Sequence, residues 1–253
     1  MKLPGFLETN CPELTRLVST GQSLMKLGVS MLRAPAPETD LVLLINQLSR
    51  SVHNSMESVL CLASQGFGVD AMRLGRTMFE TAVNAHYLDE HPKLIRDFVE
   101  FIWVKRHRHQ GYLKKYSPAE AYDEHSPQAQ EIECEYKKVQ SRFKGKKDWC
   151  DVSLEKRADA IHASAMYGGL YPVGCSLTHT DILGLRFGTN DLGEIILGPS
   201  TAHLDLALFQ SGLSYAMTLD VYQKVSELDF RKELDDCWAA YKAASPPPDK
   251  LMD

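Results

Sequence analysis

The chain has 253 residues, 44% of them hydrophobic and 24% charged, with a formal net charge of -5. This suits one large hydrophobic core and excludes a disordered or low-complexity chain. The acidic balance excludes nucleic-acid or anionic-membrane binding by the whole surface, so such contact needs a local basic patch. No apolar run reaches the roughly 18 residues of a membrane span, and the first ten residues hold no signal-peptide core. The six cysteines include no C-x-x-C pair. A cytoplasmic protein with reduced thiols, no structural zinc and no membrane partner is expected.

From the N-terminus, Pro12 to Leu32 has helical spacing, and the prolines of Ala34-Pro-Ala-Pro-Glu38 end it. Between Asp40 and Gln65, Leu41, Leu44, Ile45, Leu48, Val52, Met56 and Val59 form one apolar stripe, with Asn46, Arg50, His53, Asn54 and Glu57 on a face expected to meet water. Gly66-Phe-Gly68 then punctuates the chain. Val69 to Leu88 is apolar almost all round and reads as the central helix.

Lys93 to Tyr116 forms a helix acidic early and basic late, as the macrodipole favours, and Ser126 to about Lys144 repeats that polarity in a charged, peripheral helix stopped by Gly145. Leu154 to Tyr171 is helical up to Pro172, and a short turn through Ser176 and His179 follows. Leu185 to Leu197, with Thr-Asn-Asp-Leu-Gly between apolar runs, predicts a small β-hairpin turning at Gly193. A helix capped by Ser200 or Thr201 runs to about Val225, and a last one spans Asp229 to Ala244. The pattern predicts an all-α single domain over residues 1–245, a bundle of seven to eight helices, with residues 246–253 a disordered tail.

Several motifs lack their context. Gly66-Phe-Gly68-Val-Asp-Ala71 fits a dinucleotide fingerprint, but the residues before it have helical rather than strand period. Gly174-Cys-Ser176-Leu-Thr178 lacks the last glycine of a nucleophile elbow. Neither H-E-x-x-H nor E-x-x-H occurs, so no metal and no cofactor is expected. Arg157 and His162 fit the R-x(4 to 6)-H spacing of the HEPN helical ribonucleases, yet Ala158 replaces the polar residue that follows the arginine there. That pair reads as an accidental one on a helix surface.

On the central helix, Arg73, Arg76, Glu80, Asn84 and Tyr87 fall within about 80° of one another, hemmed in by apolar neighbours. Buried charges need partners; the i, i+4 spacing of Arg76 and Glu80 permits a direct pair. Tyr167, Tyr171, Ser176 and His179 can supply the remaining partners if Gly168, Gly169 and Gly174 let that segment pack closely on the central helix.

The run Arg76-Thr-Met-Phe-Glu80-Thr-Ala-Val-Asn-Ala-His-Tyr87-Leu, followed by Tyr171 and Ser176-Leu-Thr-His179, resembles the bacterial domain-of-unknown-function family 5677 over roughly residues 40–197. The resemblance implies an all-α bundle with Arg76, Glu80, Tyr171, Ser176 and His179 at the shared motif positions. It implies no established reaction.

Two functions fit these residues. A pocket gathering Arg76, Glu80 and His179, with Ser176 and Tyr171 beside them, would serve a hydrolytic or nuclease-like effector acting on a phosphate-containing substrate or holding a small anion. Alternatively the cluster is a buried network that fixes helix register in a non-enzymatic interaction protein, such as a homodimer. The basic run Lys105 to Lys115, with Trp103 and Tyr112 near it, is the candidate contact for RNA.

Overall fold

The computed structural model describes residues 5–117, 122–179, 182–187, 189, 193–195 and 198–245. These form eleven α-helices: α1 (Phe6–Asn10), α2 (Thr15–Arg33), α3 (Asp40–Ser64), α4 (Gly68–Glu90), α5 (Ile95–Tyr116), α6 (Pro127–Val139), α7 (Leu154–Ala160), α8 (Ser164–His179), α9 (Ile182–Phe187), α10 (Leu204–Val225) and α11 (Arg231–Ala244). Among the described residues there is no strand, and no helix is long and apolar enough to cross a membrane. The all-α class expected from periodicity is what the chain adopts.

The chain divides into two compact units, Met1–Glu90 with Leu154–Asp253, and His91–Ser153. In the larger unit α10 packs along α3 and α4, and α2 and α11 pack against each other on the same core. The stripe read on α3 is buried at Ile45, Val52, Met56 and Val59. That helix begins where Thr39 Oγ1 accepts a hydrogen bond from Val42 N (3.2 Å), a side-chain N-cap at the end of the proline segment. The opposite face of α3 is not simply solvated. Asn46 Nδ2 donates to Tyr222 OH (2.8 Å), and His53 Nδ1 is 2.6 Å from Tyr215 OH, both tyrosines standing on α10. Burial pushes the Tyr215 phenol above its ordinary range and lowers the His53 pKa, the latter against the opposing charge of Glu57.

The most buried helix is α10 rather than α4, although it carries Gln210, Ser211, Ser214, Thr218 and Gln223 in its buried set. Ser214 Oγ and Thr218 Oγ1 donate back to the carbonyls of Gln210 and Ser214, each at 2.8 Å, so hydroxyls that look solvent-directed are satisfied within the helix. Close approach sets the rest. A Cβ at Gly28 would overlap the Tyr215 hydroxyl, and one at Gly212 would overlap the ring of Tyr241, a fully buried residue donating to Leu208 O (2.5 Å).

In the smaller unit α5 packs on α6, which starts at Ser126, whose Oγ accepts from Ala129 N (3.3 Å), with Pro127 in the first turn. Phe101 meets Phe143 edge-on at 5.3 Å, and Phe98 meets Trp149 at 5.1 Å. Arg142 pairs with both Asp97 (2.9 Å) and Glu100.

Four expectations change in detail, the first being the count of seven to eight helices, which becomes eleven among the described residues because short segments such as α1, α7 and α9 are helices of their own. The helical segment from Leu154 breaks at Ile161–Ala163, with His162 in the left-handed region (φ 59°), and restarts as α8 through Pro172 to His179. The proline is exposed, where the Gly168 carbonyl that it leaves without an amide donor can be hydrated. The charged helix ends at Val139, before Gly145. The hairpin expected over 185–197 is absent at its start, because Leu185, Arg186 and Phe187 belong to α9. Thr189 and Ile195 make one isolated antiparallel bridge, Gly193 has φ 77°, and residues 188, 190–192 and 196–197 lie outside the described residues, as does the tail from 246. As the helical period before it implied, Gly66-Phe-Gly68 turns from helix to helix. Ser200 N donates to Gly66 O (2.8 Å), and the backbone of Ala202 occupies the space a Cβ on Gly68 would need.

Two substitutions on α10 should act in opposite directions in urea unfolding. Gly212→Ala forces Tyr241 out of place and should cost about 1–3 kcal/mol or more. Among the described residues neither end of the buried Gln210 amide has a hydrogen-bond partner. Gln210→Met should therefore be neutral or stabilising by about 1 kcal/mol. A harmless Gly212→Ala or a strongly destabilising Gln210→Met would contradict this packing.

Candidate functional site

The polar stripe of α4 faces α7 and α8. An amphipathic helix with a polar seam inside its apolar face must find partners for that seam, and each member here has found one. Arg76 Nη2 lies 2.6 Å from Glu80 Oε1, the intrahelical pair that the i, i+4 spacing allows. The same Glu80 oxygen accepts from Tyr171 OH at 2.8 Å. Arg76 also reaches Tyr171 OH at 3.5 Å through Nη2 and Cys175 Sγ at 3.1 Å through Nε, and its guanidinium sits over the Tyr171 ring, 5.4 Å from the centroid.

Two further contacts carry the stripe along α4. Arg73 Nε donates to Leu177 O (3.0 Å) while its Nη1 pairs with Asp70 (2.5 Å), and Arg157 Nη1 donates to Asn84 Oδ1. Arg157 is buried on α7 rather than on a surface, and His162, past the end of that helix, does not share its face.

What brings α8 this close is Gly174. A Cβ there would sit 2.8 Å from Arg76 Cβ and 3.4 Å from Met72 O, inside normal contact distance. Gly168 and Gly169 have nothing within 4 Å of the corresponding position, so of the three glycines only Gly174 serves the approach. Beneath the network Phe79, Val83, Ala158, Ala163 and Met166 form a small separate core, with Tyr167 stacked on Tyr171 at 5.0 Å.

The electrostatics follow from this packing. Burial and the hydrogen bond to Glu80 together raise the Tyr171 pKa, so at neutral pH the phenol is a donor and not a base. For Arg76, burial disfavours the charge, but the bonds to Tyr171 and Cys175 and the charge of Glu80 outweigh it and its pKa rises. The side chains of Arg76 and Glu80 remain 19% and 32% exposed, so the pair borders solvent.

Of the five residues expected to converge, Arg76, Glu80 and Tyr171 meet. His179 is exposed at the C-terminal end of α8, and among the described residues no hydrogen bond or ion pair joins it to Arg76 or Glu80. Ser176 is buried, one residue off the network face, where its carbonyl packs against Gly184; no hydrogen bond between Ser176 and His179 is present. Cys175 is the member that sequence reasoning missed. Its place four residues after Tyr171, one turn along the same face, was the available signal. Among the described residues no group of three or more His, Cys, Asp or Glu is arranged to hold a metal ion.

Tyr171→Phe removes the bond to Glu80 and should cost about 1–2 kcal/mol at neutral pH. The folded chain holds this phenol above its usual range, so the unfolded chain loses the proton first. That stabilisation is complete below about pH 10 and fades as pH rises beyond it. The gap between wild type and Tyr171→Phe in urea unfolding should therefore shrink near pH 11, above the usual tyrosine pKa of about 10. A gap equal at both pH values would show that the bond is not formed.

No curated protein and no solved structure matches the chain. A family of unknown function, DUF5677, matches residues 42–195, which span the helices carrying Arg76, Glu80, Tyr171, Ser176 and His179. That match covers more than half of the 253 residues, and the chain therefore belongs to the DUF5677 family.

Proposed function

We propose that this DUF5677 protein is a non-enzymatic helical interaction protein in which Arg76, Glu80, Tyr171 and Cys175 set the position of α8 on α4. The observation that supports this reading is the closure of the network. Glu80 Oε1 takes both the Arg76 and the Tyr171 bond, and the remaining Arg76 contact goes to Cys175 on the same helix as Tyr171. A carboxylate with both an arginine and a phenol on one oxygen is a poor general base, since its charge is already neutralised and that oxygen is already occupied. The histidine that would move protons stands apart from it.

On this reading Glu80→Gln destabilises by about 1–3 kcal/mol, between the values for surface pairs and for buried ones because the pair borders solvent. His179→Ala, at an exposed position, stays within about 0.5 kcal/mol of wild type. Thermal unfolding of both variants checks this. Glu80→Gln as stable as wild type, together with turnover of an RNA, DNA or ester substrate that this variant abolishes, would overturn the reading.

A second reading is favoured by one observation, the 32% exposure of the Glu80 side chain beside Arg76. An incoming phosphate or carboxylate can displace Glu80 from the guanidinium, leaving the carboxylate next to a bound anion. This is the geometry a hydrolytic or nuclease-like effector needs. Inorganic phosphate that raises the melting temperature of wild type but not of Arg76→Gln would support it; no shift in either would remove it.

A further inference from the structure

We propose that the cleft between α5 and α6 in the smaller unit binds single-stranded nucleic acid. The site is independent of the Arg76 network. Charge is unevenly divided along this acidic chain. Residues 91–153 carry 13 Lys and Arg against 10 Asp and Glu, whereas the rest of the chain carries 15 against 23. A cationic unit within an anionic protein draws a polyanion to one place.

Within the basic run of α5, Lys105 to Lys115, the cations fall into two groups. His107 lies 3.3 Å from Glu133 and stacks on Tyr136 at 3.7 Å, Arg108 donates to the Lys146 carbonyl (2.5 Å), and Lys114 pairs with Glu124, so these three hold the unit together. Lys105 and Arg106 have no carboxylate partner among the described residues. They line, with His109, a cleft of about 650 Å³ whose other wall includes Tyr122, Asp123 and Ser126. Lys105 and Arg106 lie over Phe101 (5.9 Å) and Trp103 (5.1 Å), contacts that leave their N–H donors available to phosphate oxygens. Asp123 is the one carboxylate of the cleft lining among the described residues, and its Oδ1 accepts from His125 N at 2.8 Å.

An aromatic stripe continues the cleft. Lys105, His109, Tyr112 and Tyr116 are spaced i, i+4, i+7 and i+11 and therefore follow one face of α5 over about 16 Å. Tyr112 and Tyr116 are 63% and 70% exposed, and their rings lie 6.4 Å apart and 20° from parallel. The Lys115 ammonium is 4.9 Å from the Tyr116 centroid. Large exposed rings with cations beside them are what a strand of unpaired bases needs, with stacking faces for the bases and positive charge along the backbone. A phosphopeptide would use the cations and leave the two rings unexplained.

The test is fluorescence anisotropy of the full chain with a labelled oligouridylate of about 12 nucleotides, a length within single-strand site sizes. Binding should weaken about tenfold between about 50 and 200 mM salt, as for two or three phosphate contacts. Lys105→Ala with Arg106→Ala should weaken it and flatten the salt dependence. Tyr112→Ala with Tyr116→Ala should weaken it about tenfold or more at unchanged salt slope. All four side chains are exposed, and Lys105→Gln, Arg106→Gln, Tyr112→Leu and Tyr116→Leu replace any variant whose melting temperature falls; Lys232→Ala in α11 should bind as wild type. Absent binding at low salt, binding indifferent to the tyrosine pair, or uridine monophosphate competing as well as the oligomer would overturn the proposal. So would capture by phosphatidylserine vesicles without capture of the oligomer.

Discussion

The larger unit depends on how closely α10 approaches its neighbours. A helix with side chains all round keeps its partners about 8–10 Å away. Here Tyr215 occupies the place of a Gly28 side chain and Tyr241 that of a Gly212 side chain, so large aromatic groups fill what would otherwise be helix–helix gaps. The contacts run both ways, since each tyrosine hydroxyl brings a polar end into the core and needs a partner there. His53 and the Leu208 carbonyl supply them. The core is therefore tied by hydrogen bonds between α3, α10 and α11 as well as by apolar burial, and its specificity rests on positions where one added methyl group does not fit.

The same device at lower burial builds the polar site. Gly174 lets α8 come within contact of the Arg76 stem, and at that distance Tyr171 and Cys175 can only meet Arg76 and Glu80. The site borders solvent where the core does not, which is why its geometry is open to both proposed readings. The two readings differ in whether Glu80 leaves Arg76, a question of exchange rather than of position.

The smaller unit follows a different logic. Its buried residues combine the aromatic Phe101, Phe143 and Trp149 with the aliphatic Val104, Ile132 and Val139, and its ion pairs are many. Ion pairs such as those of Arg142 join its helices, while Lys105 and Arg106, without a carboxylate partner among the described residues, line the cleft on the helix that carries the exposed Tyr112 and Tyr116.

Length, apolar period and turn residues alone determined the all-α class, the limits of most helices and the Arg76–Glu80 pair, because these are local consequences of 3.6-residue periodicity and i, i+4 reach. The family membership was legible in the same way, as an order and spacing of residues. The central place of α4 was legible from its apolar circumference, but the still greater burial of α10 was not. The hydroxyls of Ser214 and Thr218 bond to their own helix and can be buried at little cost, a fact that composition hides. Pro172 read as a stop because its missing amide is local, whereas its exposure, which makes the missing bond tolerable, is a property of the packed helix. Tyr171 and Cys175 joined the site and His179 did not because the docking of α8 is decided by where Gly174 meets α4. Such a contact between residues about 100 apart is set by tertiary packing and by no local period.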